Sequence, residues 1–352
     1  MRDFIEENLR EMVKINSESE GQMDDIVDFT TGLLDDIGLE YEVIDEDGFK
    51  PVIIASNGEG GVCFSGHLDT VPLGDGWEHE QGEIIGDKMY GRGTLDMKGP
   101  CLSIIAAAER LYKENVPFSI IFTTDEEVTM SGAKEVADRP EVTEASAVLV
   151  CEPTDMRVVN QEKGVYQFEI TTEGKNAHAS MPEKGENAIV KILPILTSLS
   201  RKNNIPAEKD EMSCCVNVIE GGEATNVIPD SCRAEVDVRF PDHFDKDLLK
   251  KYLFDPIDGD FDLKEIQYLD SVKLSKDRGS VQKLIEISKA ETGYVPYGTE
   301  MVRYYQENKD TMIFGPGKVD SAHQPDEYID LDQLVDIVDI YVDYAKSMVD
   351  ID

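Results

Sequence analysis

Val62-Cys63-Phe64-Ser65-Gly66-His67-Leu68-Asp69-Thr70-Val71-Pro72 runs an apolar segment directly into an imidazole and a carboxylate. The composition of residues 62–65 predicts a buried strand ending in a polar turn. His67 and Asp69 stand two residues apart, so in an extended segment they share one side. Asp69 can therefore hold His67, because a carboxylate that accepts the N–H of a metal-bound imidazole fixes its tautomer and raises its basicity. Taken alone, His-x-Asp is ordinary turn and surface chemistry. Its meaning depends on what the neighbouring strands deliver.

Outward from this stretch the chain alternates. Amphipathic helix patterns at Phe4, Ile5, Leu9, Met12 and Val13 and at Ile26, Leu33, Leu34 and Ile37 precede apolar runs at Tyr41–Ile44 and 52–55. Residues 99–112 read as a helix, and Phe118–Thr123 and 147–151 as buried strands. Such alternation implies an α/β domain with a mixed sheet flanked by helices on both faces. From about Val165 the texture changes to strand 165–171, helix 187–199, strands 214–219 and 234–239, helix 245–253 and strand 263–269. That β-α-β-β-α-β order is ferredoxin-like. After Lys276 the α/β texture returns, with helix 280–291, strand 311–314 and a last amphipathic helix through Leu331, Leu334, Val335, Val338, Tyr341 and Val342. The expected division is residues 1–164 with 276–352 as one domain and 165–275 as an insertion.

Thirty-four Lys and Arg against 73 Asp and Glu leave a formal charge of −39 on 352 residues. A field that negative argues against nucleic acid and against anionic membrane surfaces as partners. No run approaches the roughly 18 apolar residues of a membrane span, and the first residues lack a signal-peptide pattern, so a soluble, cytoplasmic protein is expected. Six cysteines without C-x-x-C spacing read as reduced, mostly buried thiols. His79 and His243 lie in acidic, turn-like surroundings and read as solvent-exposed.

Three further strand ends carry chemistry. Gly91-Arg92-Gly93-Thr94-Leu95-Asp96-Met97-Lys98-Gly99-Pro100 sets Asp96 before a helix start, where a helix cap is the simplest role. Strand Phe118–Thr123 ends in Thr124-Asp125-Glu126-Glu127, three adjacent acids whose packing is unfavourable without a cation. Residues 147–151 lead into Glu152, and 311–314 lead on to Ala322-His323-Gln324-Pro325-Asp326-Glu327-Tyr328. Strand ends that deliver two histidines and several carboxylates, without thiolates, suit a hydrolytic Zn, Co or Mn centre.

Together, SGHLDTVP, GRGTLDMKG, TTDEE, CEPT and GPGKVDSAHQPDEY resemble the motifs of the M20 metallopeptidases, in family order and across nearly the whole chain. The resemblance implies a di-metal hydrolase acting on a linear amide. His67 and Glu152 would hold one ion, Glu127 and His323 the other, and Asp96 would bridge them, with a cis peptide bond after it. Glu126 would be the general acid/base that takes a proton from the attacking water and returns it to the leaving amine. The inserted unit would be the family's lid and dimerisation domain, making a homodimer in which His178 stabilises the oxyanion in the partner's site. Asn226, in TNVIP, and Arg239, in DVRFP, would bind substrate, the arginine as a bidentate partner for an α-carboxylate.

Within that family the chain resembles the acetylornithine deacetylases, which share Thr299-Glu300 and the ending Ala322–Tyr328. The expected reaction is removal of acetate from N-acetylornithine, a step of arginine biosynthesis, with Glu300 meeting the ornithine ammonium. Desuccinylation of succinyl-diaminopimelate, dipeptidase or carboxypeptidase activity, and a non-catalytic binding relative are the alternatives. Arg303, a second cation nearby, would favour an acidic substrate.

Overall fold

A computed structural model describes residues 1–46, 50–204, 208 and 210–349. The chain forms two compact units, one of Met1–Asn160, Leu274–Gly293 and Thr299–Asp352, the other of Gln161–Lys273 and Tyr294–Gly298.

The first unit is built on a mixed sheet with strand order Tyr41–Ile44, Val52–Asn57, Phe118–Thr123, Val62–His67, Ala147–Val150, Thr311–Ile313 and then Val158–Glu162, which runs on into the second unit. Four neighbours, Phe118–Thr123, Val62–His67, Ala147–Val150 and Thr311–Ile313, are mutually parallel. Their carboxyl ends therefore open on one edge, where α/β sheets place ligands. These strands are buried along their whole length. That is why they read as continuous apolar runs.

Alternation along Val62–His67 separates the two faces. Phe64 faces helix Leu331–Val349, its ring 5.3 Å from that of Tyr341. Gly66 meets helix Lys98–Lys113 so closely that a Cβ there would lie 2.8 Å from Met97 Cε and 2.9 Å from Cys101 Sγ. Ser65 points to the opposite face, its Oγ 3.0 Å from the Tyr304 hydroxyl in helix Met301–Glu307. The core of the unit joins Phe64, Ile104, Phe122, Leu149, Phe314 and Tyr341. The expected helix 280–291 is Gly279–Ser288, stopped by Lys289 at φ +57° before strand Thr292–Val295.

The second unit has a four-stranded antiparallel sheet in the order Ser213–Gly221, Ser231–Phe240, Gly164–Glu173, Asp262–Leu269. Helices Ala188–Ser200 and Lys246–Phe254 follow the first and third of these strands in the chain. Asn187 and Asp245 cap them, accepting the N–H of Val190 and of Leu248. Strand Ser231–Phe240 alternates buried and half-buried residues, so Ala234, Val236 and Val238 pack with Phe168, Ile170 and Ile192. Among the described residues no helix is long and apolar enough to cross a membrane.

Candidate metal centre

The four parallel strand ends bring His67, Asp69, Glu126, Glu127, Glu152 and the loop bearing His323 to one edge of the sheet. The Gly91–Asp96 loop meets them there. Two groups of side chains could each hold a metal ion: His67, Asp96 and Glu152, and Asp96, Glu127 and His323. His67 Nε2 lies 3.1 Å from Asp96 Oδ1 and 3.3 Å from Glu152 Oε1. His323 Nε2 lies 3.0 Å from Glu127 Oε1 and 3.3 Å from Asp96 Oδ2. One carboxylate thus turns an oxygen to each imidazole.

Asp96 does not cap the helix that follows. That helix begins at Lys98 with Met97 at its cap position and no side-chain bond there, which leaves the Asp96 carboxylate for the cluster. The Asp96–Met97 peptide bond is cis.

The electrostatics follow from packing carboxylates around imidazoles. Burial lowers the proton affinity of His67, but the carboxylates, Glu152 first, outweigh it and raise its pKa well above the ordinary value. Asp96 and then Glu127 raise His323 to about 10. Glu152 is pushed up to about 7 by burial, with Asp96 adding to the shift and His67 opposing it. Burial also drives Glu126 well above the carboxylate range, and Glu152, Glu127 and Glu300 push it further against the pull of His67. Nitrogen and oxygen donors at this density are the set that divalent zinc, cobalt or manganese accepts.

Asp69 stands beneath His67, its Oδ1 3.4 Å from His67 Nδ1, while its backbone oxygen lies 2.9 Å from the same nitrogen. Its carboxylate also accepts the backbone N–H groups of Glu126 and Glu127, each at 3.2 Å, and the Ser19 hydroxyl at 2.6 Å. Burial raises Asp69, but His67 and these donors outweigh it and hold its pKa below the ordinary value. One side chain thus braces both the His67 strand and the Glu126–Glu127 turn. Ser19 was not among the expected site residues. It lies 50 positions away, and no local pattern marks it.

Glu300 lies close by but is enclosed. Its side chain is buried, with 1% of the residue exposed, behind the strand end rather than at an open surface, and Ser65 Oγ lies 3.3 Å from its Oε2. Burial pushes it up to about 8 against the opposing pulls of Thr123 and His67. The carboxyl is therefore enclosed rather than presented to solvent. Arg303 Nη2 reaches the Thr129 carbonyl at 3.5 Å. His79, expected in solvent, is half-buried against Tyr90, ring centroids 4.0 Å apart, with Nδ1 3.1 Å from Glu83.

The other expected residues belong to the second unit. His178 is exposed, pairs with Val227 across a short ladder and has Nδ1 2.8 Å from Ser180 Oγ. The Asn226 carbonyl accepts the N–H of Ala179, so it stands beside His178. Arg239 bonds Asp237 through Nε at 2.7 Å and Nη2 at 3.0 Å. Its guanidinium fork already holds one carboxylate of its own strand.

Residues 63–347 match the profile of Peptidase family M20/M25/M40. The chain is 26% identical over 404 residues to the Staphylococcus aureus (strain MRSA252) protein named "Probable succinyl-diaminopimelate desuccinylase", covering 96% of this chain and 97% of that one. It is 30% identical over 318 residues to the acetylornithine deacetylase of Aliivibrio fischeri (strain MJ11), covering 84% of each. Its fold is similar to that of the Bacillus subtilis YXEP protein, a dinuclear metal binding peptidase from the M20 family, with a TM-score of 0.71 at 18% identity over 98% of this chain and 97% of that one. The chain belongs to peptidase family M20/M25/M40 and is a hydrolase of amide bonds.

Proposed function

We propose that this enzyme removes the acetyl group from N-acetylornithine at two divalent cations, zinc in the first instance. His67, Asp96 and Glu152 would hold one, and Asp96, Glu127 and His323 the other. The observation that carries this reading is the shared carboxylate, with Asp96 Oδ1 toward His67 and Oδ2 toward His323. When bound, such ions polarise a scissile carbonyl and lower the pKa of water.

The protein supplies the remaining steps. Asp69 fixes the orientation of His67 through its Nδ1 side. Glu126 belongs to neither group of donors, so its carboxylate is left to take a proton from the attacking water and hand it to the departing amine. In the second unit, the β-α-β-β-α-β order supports a ferredoxin-like lid and dimerisation domain. The exposed His178 suits a group that donates to the oxyanion in a partner protomer. Asn226 beside it and Arg239 are assigned to substrate, the arginine exchanging Asp237 for an α-carboxylate. With Glu300 enclosed, attraction of the ornithine ammonium rests on the field of 73 acidic residues.

The choice of substrate rests on the 30% identity to an acetylornithine deacetylase. A second reading, desuccinylation of succinyl-diaminopimelate, is favoured by a relative matched over 96% of this chain. Specificity constants of the zinc-loaded protein for N-acetylornithine, N-succinyl-diaminopimelate and dipeptides separate them. N-acetylornithine is expected to have the highest value. A higher one for the succinylated substrate establishes the second reading, and no turnover of any leaves a binding relative.

A further inference from the structure

The loop that presents Asp96 is wrapped around a side chain 231 positions away. Glu327 Oε1 accepts the backbone N–H of Gly93 at 2.9 Å, of Leu95 at 3.1 Å and of Asp96 at 3.2 Å. Its Oε2 accepts Arg92 Nη1 at 2.6 Å, and its own carbonyl accepts the N–H of Gly91 at 2.9 Å. Glu327 is fully buried and the Arg92 side chain is 7% exposed. Gly93 sits at φ +81°, with a would-be Cβ 2.9 Å from Thr70, so the tight wrap needs glycine there.

A buried ion pair is a poor source of stability, because desolvation offsets the attraction. What it does supply is geometry: a carboxylate with this many fixed donors defines where each of them stands. Neighbouring Asp326 does the same to another loop, its Oδ1 accepting the N–H of Glu78 at 2.9 Å and of His79 at 3.0 Å. Arg92 extends the tie, with Nη2 3.4 Å from the Leu73 carbonyl. His323 lies four residues before Glu327. One short segment therefore carries the imidazole that faces Asp96 Oδ2 and the carboxylate around which the Asp96 loop folds.

We propose that Glu327, fixed by Arg92, is the positioning residue for Asp96, setting where the shared carboxylate stands relative to both imidazoles. The inference rests on the assignment of Asp96 as the shared ligand. Glu327→Gln keeps the size but replaces one carboxylate oxygen with an NH2, which must face either Arg92 or the three loop N–H groups. Either way one donor is left facing another.

The test titrates Co2+ into the metal-free full-length protein and reads affinity and the visible absorption of the bound ion, with Asp96→Ala as the comparison. Glu327→Gln is expected to bind both ions at least about tenfold more weakly, as for residues supporting a metal ligand, and to shift the absorption bands at full loading. With substrate, kcat should fall while KM holds. Arg92→Lys, which keeps the charge without the planar fork, should give a smaller change in the same direction and serves if Glu327→Gln does not fold. A lower melting temperature with native Co2+ affinity and absorption in both variants would mean a purely structural role and overturn the proposal. Asp96→Ala retaining two tightly bound ions would instead remove the shared-ligand assignment beneath it.

Discussion

Ser65 Oγ lies 3.3 Å from Glu300 Oε2, joining the strand that ends in His67 to the start of helix Met301–Glu307. Burial moves the Glu300 pKa from 4.5 to about 8. The folded protein then keeps a proton between those values that the unfolded chain has released, so stability falls as pH rises through that window and levels off above it. Glu300→Gln has no such ionisation. Relative to the native chain, the metal-free variant should gain about 1.4 kcal/mol per pH unit between about 5 and 8 and then plateau. Denaturant melts at several pH values check this. A difference that stays constant with pH would show that Glu300 is ionised in the folded state.

Asp96 and His67 should differ in what they cost. A carboxylate shared by two donor groups serves both ions, whereas His67 belongs to one group. Asp96→Ala should lose both metals together, and His67→Ala mainly one. Metal analysis per chain after dialysis at equal free zinc decides this. Two retained ions in Asp96→Ala contradict the sharing.

Glu126→Gln should keep the metals and lose at least about a hundredfold in kcat, the scale of a positioned acid/base. Its backbone N–H would still reach Asp69, so the turn is preserved. Turnover within a few-fold of the native rate would take the proton shuttle away from Glu126.

His178→Ala and Glu126→Gln protomers, each inactive alone, should regain activity when mixed if His178 serves the neighbouring protomer. A mixed dimer then holds one native metal centre matched with one native histidine. Subunit exchange is verified by differential tagging, and activity is read afterwards. No recovery despite exchange places His178 in its own protomer or outside the reaction.

Much of this was readable in the chain because burial leaves a compositional trace. Strands 62–65 and Phe118–Thr123 read as apolar runs since both faces are covered, and the helix expected at 99–112 forms as Lys98–Lys113. Pairing partners left no trace. The sheet of Tyr328–Asp330, Lys88–Tyr90 and Glu83–Ile85 has only three residues in each strand, too few for a period to register. Ser19 with Asp69 and Arg92 with Glu327 are contacts across 50 and 235 positions, set by the sheet and its loops rather than by spacing. The enclosure of Glu300 left no trace either, because its neighbourhood, not its residue type, sets its burial and charge. A Thr-Glu pair before a helix looks the same in sequence whether it meets solvent or the back of a strand.

Strand Thr311–Ile313 lies between Ala147–Val150 and Val158–Glu162, pairing with the first along its length and with the second at Val159. During synthesis some 160 residues separate Ala147–Val150 from the strand that completes the sheet beside it. Throughout that interval Ala147-Val148-Leu149-Val150 presents a bare apolar edge, open to any passing β-strand. At about 5–20 residues per second the wait is on the order of ten seconds, a span in which an unpaired edge can be captured by another chain.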